Sequence, residues 1–222
     1  MGESIEFIKA RAIATLAAAN AVASQWVWQE KTIAQMETQH QGITAQENLV
    51  GDANGPMLTA RAEWDAALDT LHVRTMQGVA MAKTRFRNNP VKLALVENLE
   101  ARGDSRAAIL REALEWEKAW KQTEQTWSPM PANTFAAFGT LRLQCLEPLQ
   151  HAYKDKQSAW REASNILTEL GRAMEDVNEA WYADATRAFV QGTPEGNMIR
   201  GTIPTTSDGS PPPPTPPTPP GP

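Results

Sequence analysis

Apolar residues recur in steps of three and four from the start of the chain. One line runs Ile5, Ile8, Ala12, Thr15, Ala19, Val22, Trp26, Gln29, Ile33, Met36, His40, Ile43. It is mostly apolar over roughly eleven helical turns. A second line runs Phe135, Phe138, Cys145, Leu149, Ala152, Ala159, Ala163, Leu167, Leu170, Met174, Val177, Trp181, Ala188, interrupted by Arg142, Lys156 and Asp184. Between them, Leu58, Ala62, Leu68, Met76, Val79 and Phe86 mark one shorter segment. Leu93, Val96, Leu99, Leu110, Leu114 and the Trp116/Trp120 pair mark another. No long alternating run suggests a strand. Stripes of this spacing predict long helices packed side by side at a shallow angle.

Turn-forming residues divide the pattern. Gly51-Asp52-Ala53-Asn54-Gly55-Pro56 reads as a loop, and Asn88-Asn89-Pro90 as an N-cap followed by proline at the first helical position. Gly103-Asp104-Ser105 is a stop followed by fresh caps. Ser128-Pro129-Met130-Pro131 is a turn, after which Asn133 or Thr134 can cap the next helix. Four segments follow: 3–49, 57–88, 90–127 with a break at Gly103, and 133–190, with Pro148 kinking or splitting the last. The expectation is an all-α fold, an elongated antiparallel bundle over 1–191. Residues 192–206 read as an extended linker whose Ile199 and Ile203 can dock on the bundle. In 207–222, nine of the last twelve residues are proline. Such a tail favours polyproline II, builds no core, and reads as disordered: a spacer, or a ligand for an aromatic groove on a protein partner.

Composition narrows the classes. The chain has 222 residues, 41% hydrophobic and 21% charged, enough apolar matter for a core. A net charge of -5 argues against nucleic acid, whose phosphates need a basic face. One cysteine excludes an internal disulfide and a cysteine-based zinc cage, and points to a reducing cytoplasm. The opening residues carry acids where a secretory leader carries Lys or Arg. Ala12–Gln29 lacks charge, but Thr15, Asn20, Ser24, Gln25 and Gln29 make it too polar for a membrane span.

Candidate chemistry is thin. Glu37 stands three before His40, and Asp69 three before His72. If the chain folded back at 51–56, these pairs would come within about two turns, the arrangement from which carboxylate-bridged metal pairs are built. Against this, Asp69 is short for bridging, and no further pair of core glutamates stands out. The expectation is no resident metal or cofactor. Cys145 sits on an apolar stripe, where a thiol is inert. No nucleophile elbow, HExxH or phosphate loop occurs. Lys83-Thr84-Arg85-Phe86-Arg87 fits a helix C-terminus better than a phosphate site. Of eight tryptophans, Trp26 and Trp181 fall on stripes. Trp28, about 160° away from its stripe on a helix, is predicted to face outward as an interface residue, with Trp127 at a helix end as the second.

The function expected is non-catalytic: a structural or scaffolding bundle acting through protein–protein contacts and assembling as a homo-oligomer. The alternatives are a membrane-active helical protein and, third, a ferritin-like di-metal carboxylate protein.

Overall fold

The structure, a computed structural model of the chain, describes residues 4–99 and 103–202. The tail, 207–222, and Ile203 lie outside the described residues. Among those described, the fold is all-α: α1 (Ile5–Val22), α2 (Ile33–Arg85), α3 (Pro90–Glu97), α4 (Arg106–Glu124), α5 (Phe135–Leu146), α6 (Pro148–Ala188) and α7 (Pro194–Arg200).

Short polar side chains start most of these helices. Ser4, Asn89, Ser105, Thr134 and Thr193 each accept from the backbone N–H three residues on, and Pro90 and Pro194 follow their caps. Pro148 splits the last long segment as expected: α5 ends at Leu146 and the proline opens α6.

Two predicted boundaries are corrected. The chain reverses at 23–32, inside the segment 3–49 that was expected to be one helix. Thr32 Oγ1 accepts from Gln35 N at 3.2 Å while Gln35 Oε1 accepts from Thr32 N at 2.8 Å, a reciprocal capping box that starts α2. The residues before it, Trp26-Val27-Trp28, are poor helix formers. Conversely, α2 runs unbroken through 51–56, with Pro56 inside it. Gly42, Gly51 and Gly55 have open space where a Cβ would be, so no neighbouring group demands a turn there. Buried residues on both sides, Ile43 and Gln46 before and Met57 and Trp64 after, hold the helix across a locally unfavourable stretch.

A third correction concerns 192–206. Residues 194–200 are helical, not extended. Arg200 Nη1 caps the Gly196 carbonyl at 2.9 Å, and a Cβ at Gly196 would run into the Val190 carbonyl. Gly192, at φ +95°, makes the preceding turn. Ile199 is fully buried, as its docking role requires.

The described residues form two compact units, those within 1–51 together with those from 162 onward, and those within 52–161. Both α2 and α6 pass from one unit to the other, and the α2 boundary, Gly51/Asp52, falls on the stretch read as a loop. In the first unit, α1 packs on the start of α2 and the end of α6. Ile8, Ala12, Ile43 and Met174 form one cluster; Ala18, Ala19, Val22, Met36, Val177, Trp181 and Ile199 belong to another. Gly171 lets α1 approach closely, since a Cβ there would sit 2.6 Å from Ile5 Cδ1. In the second unit, Trp64, Leu68, Leu71, Val79 and Ala82 of α2, with Phe86 just past its end, face Ile109, Ala113, Trp116 and Trp120 of α4, with Phe138 and Cys145 of α5 closing the core.

Candidate interaction surfaces

The 23–32 loop places two tryptophans differently from expectation. Trp28 is 8% exposed, and its Nε1 donates to Asp184 Oδ2 at 3.0 Å. The outward placement assumed a helical step between residues 26 and 28, and α1 has already ended at Val22. Trp28 therefore fastens the loop to α6 and offers no interface. Trp26 is the half-exposed ring. It leans on Trp181 (centroids 6.4 Å apart, planes at 59°) and meets Phe189 edge-on at 6.1 Å. Between them Val27 is 66% exposed. Cavities of about 310 and 380 Å³ open on the two sides of this loop, and Trp26, Val27 and Trp28 line both.

Trp127, in the second unit, is half-buried. It packs edge-on against Phe86 at 5.8 Å and Trp120 at 6.4 Å, its carbonyl accepts from Trp120 Nε1, and the Arg85 guanidinium lies 5.3 Å from its ring. One edge of the ring lines an open depression with Ala80, Met81 and Thr84. A partner could reach it there, but most of its surface is already used internally.

The histidine–acid pairs are not brought together. Because α2 is continuous, Glu37, His40, Asp69 and His72 all lie along one helix, the first two in one unit and the last two in the other. Glu37 and Asp69 face solvent, while His40 and His72 each turn one ring nitrogen inward without a partner. No group of three or more His, Cys, Asp or Glu that could hold a metal occurs among the described residues. The hairpin that would have brought the two pairs together is absent, because α2 runs through 51–56.

Cys145 is buried, and burial pushes its thiol up to about 11, so at neutral pH it is a protonated, inert group. Its carbonyl accepts from Trp64 Nε1 at 2.9 Å. On the other side of Trp64, Arg106 forks onto Asp65 through bonds of 2.7 and 2.9 Å, with its guanidinium 4.5 Å from the Trp64 ring and 5.3 Å from that of Tyr153. This clamp ties α2, α4 and α6 together within the second unit. The Arg106 hydrogen bonds hold the Asp65 carboxyl below its ordinary range. A carboxyl depressed by folding contributes stability fully above its unfolded value, about 3.9, and that contribution is lost as pH falls through the lower folded value. Asp65→Asn is therefore expected to lower the urea midpoint at pH 7 and to flatten its decline below pH 4. An acid limb as steep as that of the wild type would remove Asp65 from the account.

A surface missed in the sequence lies on α2. Leu58, Ala62, Ala66, Asp69, Val73, Met76 and Ala80 follow one another in steps of three and four, and all are exposed. The three largest, Leu58, Val73 and Met76, are 49%, 50% and 48% exposed. The buried stripe of the same helix, from Met57 and Trp64 to Ala82, lies roughly 130° around the axis. The sequence reading merged the two lines, placing Leu58, Ala62 and Met76 with the core residues Leu68, Val79 and Phe86.

No described helix is long and apolar enough to cross a membrane. The uncharged stretch 12–29 is divided between α1 and the loop after it. No known protein family, curated protein or solved structure matches the chain.

Proposed function

We propose that this chain is a non-catalytic helical scaffold that assembles with copies of itself through the exposed face of α2. The observation that supports the reading is the apolar line from Leu58 to Ala80, in heptad register from Ala62 onward, six of whose seven positions are apolar and all of which face solvent. Isolated exposed apolar residues are ordinary. A continuous row at coiled-coil spacing is what a second helix packs against. Alanines at three of the positions permit close approach. Asp69 interrupts the row near its middle, and in a symmetric pairing, parallel in register or antiparallel about that point, it meets its own copy. Such a like-charge contact weakens association and selects register. The lone, buried Cys145 fits a scaffold working in a reducing compartment such as the cytoplasm.

The test is size exclusion with light scattering over a wide concentration range. The wild type is expected at a multiple of 24.4 kDa. Val73→Glu with Met76→Glu should raise the dissociation constant at least a hundredfold, since each buried side chain contributes about 1.5 kcal/mol and each 1.4 kcal/mol is tenfold. Both positions face solvent, so the helical circular dichroism should not change. Asp69→Leu should tighten association. A wild type that stays at 24.4 kDa at every concentration would end this reading.

A further inference from the structure

We propose that a cavity between α2 and α4 in the second unit binds a small, elongated zwitterion, an apolar stem with an ammonium at one end and a carboxylate at the other. The cavity holds about 350 Å³, within the size range of small-molecule sites. Its lining residues all belong to 52–161. Met76 and Val79 of α2, with Leu99 just past α3, give it an apolar wall. Lys83 of α2 and Glu115 of α4 bring opposite charges to it. Neither is tied to another charged group among the described residues. Glu112 also lines the cavity, but it is almost wholly buried and has an interaction of its own. The charge left to meet a ligand is one cation and one anion.

The two charges stand at different heights. Asp65 meets Arg106, Gly78 lies against Trp116, and Arg85 meets Glu124, so α2 and α4 run parallel. Each α4 residue is then level with the α2 residue about forty positions earlier. Glu115 therefore stands near Thr75, and Lys83 begins roughly 12 Å further along the axis. Helical side chains lean toward the N-terminus, which brings the Lys83 ammonium back toward the level of Val79. Thr75 completes the Glu115 end. It is 3% exposed, and its hydroxyl donates its proton to the Leu71 carbonyl at 2.8 Å, leaving the oxygen as an acceptor at the cavity wall. A carboxylate with a hydroxyl acceptor beside it suits an ammonium, and the Lys83 end suits a carboxylate. Between the two ends, Met76, Val79 and Leu99 suit methylenes and disfavour a further charge. A plain amine or a plain carboxylate would satisfy only one end.

The experiment uses the full chain with carbon-13 in its methionine methyl groups, followed by NMR, the Met76 signal being identified by its loss in Met76→Leu. The probe is 6-aminohexanoate, compared with hexylamine and hexanoate at one fixed protein concentration. It is expected to move the Met76 signal saturably while those of Met36 and Met174, in the first unit, stay in place. Each one-ended probe should bind at least about tenfold more weakly. Glu115→Gln and Lys83→Met should each weaken 6-aminohexanoate by about the same factor. The exchange Lys83→Glu with Glu115→Lys should restore binding, because the probe can turn end for end. No saturable movement with 6-aminohexanoate, equal affinity for either one-ended probe, or failure of the exchange to restore binding would overturn the proposal. So would a movement that survives both single variants, since it would arise from altered pairing of α2 and not from the cavity. Lys83 and Glu115 lie off the Leu58–Ala80 line, so light scattering on the same variants reads self-association separately, and either proposal can fail without the other.

Discussion

Replacing Trp120 with alanine is expected to cost the 52–161 unit about 3–5 kcal/mol, the range for emptying the site of a buried large aromatic side chain. The ring is completely buried and joins three elements. It stacks on Trp116 at 5.1 Å, meets Phe135 at 5.6 Å and Phe138 at 5.9 Å on α5, and donates from Nε1 to the Trp127 carbonyl at 2.9 Å in the turn after α4. Alanine removes those contacts at once and leaves the Trp127 carbonyl without its donor. The total stability of a domain this size is on the order of 5–15 kcal/mol, so the variant should sit close to the unfolding threshold. Urea unfolding should show the loss as a lower midpoint, and near-ultraviolet circular dichroism should lose the signal of the stacked Trp116–Trp120 pair. Trp127→Ala removes a half-exposed ring and should cost clearly less. Equal losses for the two variants would mean that the hub is not centred on Trp120.

The same residues show where a linear reading succeeds. Asn89, Ser105 and Thr134 cap the helices they were expected to cap, and Pro148 breaks the helix it was expected to break, because caps and prolines act through neighbours in sequence. The core line Ile8, Ala12, Thr15, Val22, Met36, Ile43 is buried as its spacing implies. The hairpin between Val22 and Ile33 went unseen for a specific reason: the two helices it joins continue the apolar spacing across the turn. Only the Thr32-x-x-Gln35 box betrayed it. The error at 51–56 has the opposite cause. Glycine and proline predict a break from local preference, and the packing of residues on both sides outweighs it. Trp28 was misplaced as a consequence of the unseen hairpin. The exposed α2 face was missed because a helix with two apolar faces looks, position by position, like a helix with one broad one.

Replacing Asn178 with leucine is expected to stabilise the first unit by about 1–3 kcal/mol, against the usual direction of a core substitution. Asn178 is 0% exposed on α6, and neither Oδ1 nor Nδ2 has a partner among the described residues. Its helix neighbours Met174, Val177 and Trp181 all belong to apolar clusters. Removing a primary amide from water without a hydrogen bond carries a penalty of that size, and leucine keeps the same branched arrangement of heavy atoms without it, with bulkier methyl groups that must be accommodated. Thr15 on α1 is the companion case, 1% exposed with Oγ1 unpartnered. The contacts of Gly171 with Ile5 and of Glu179 with Arg11 set α1 and α6 parallel, which brings Thr15 and Asn178 within about one turn of the same level. Asn178→Ala separates the contributions: it lifts the same penalty but leaves a cavity, so it should fall well short of the leucine variant. Both are read as urea midpoints at unchanged slope. Should leucine lower the midpoint, the amide must hold a partner in solution, and a polar layer that an apolar side chain cannot replace would be the better account of this seam. Should it raise the midpoint, stability has been forgone at a position facing neither solvent nor a described ligand. The polar layer then matters for which helices pair and in what register, the property on which a self-assembling helical scaffold depends.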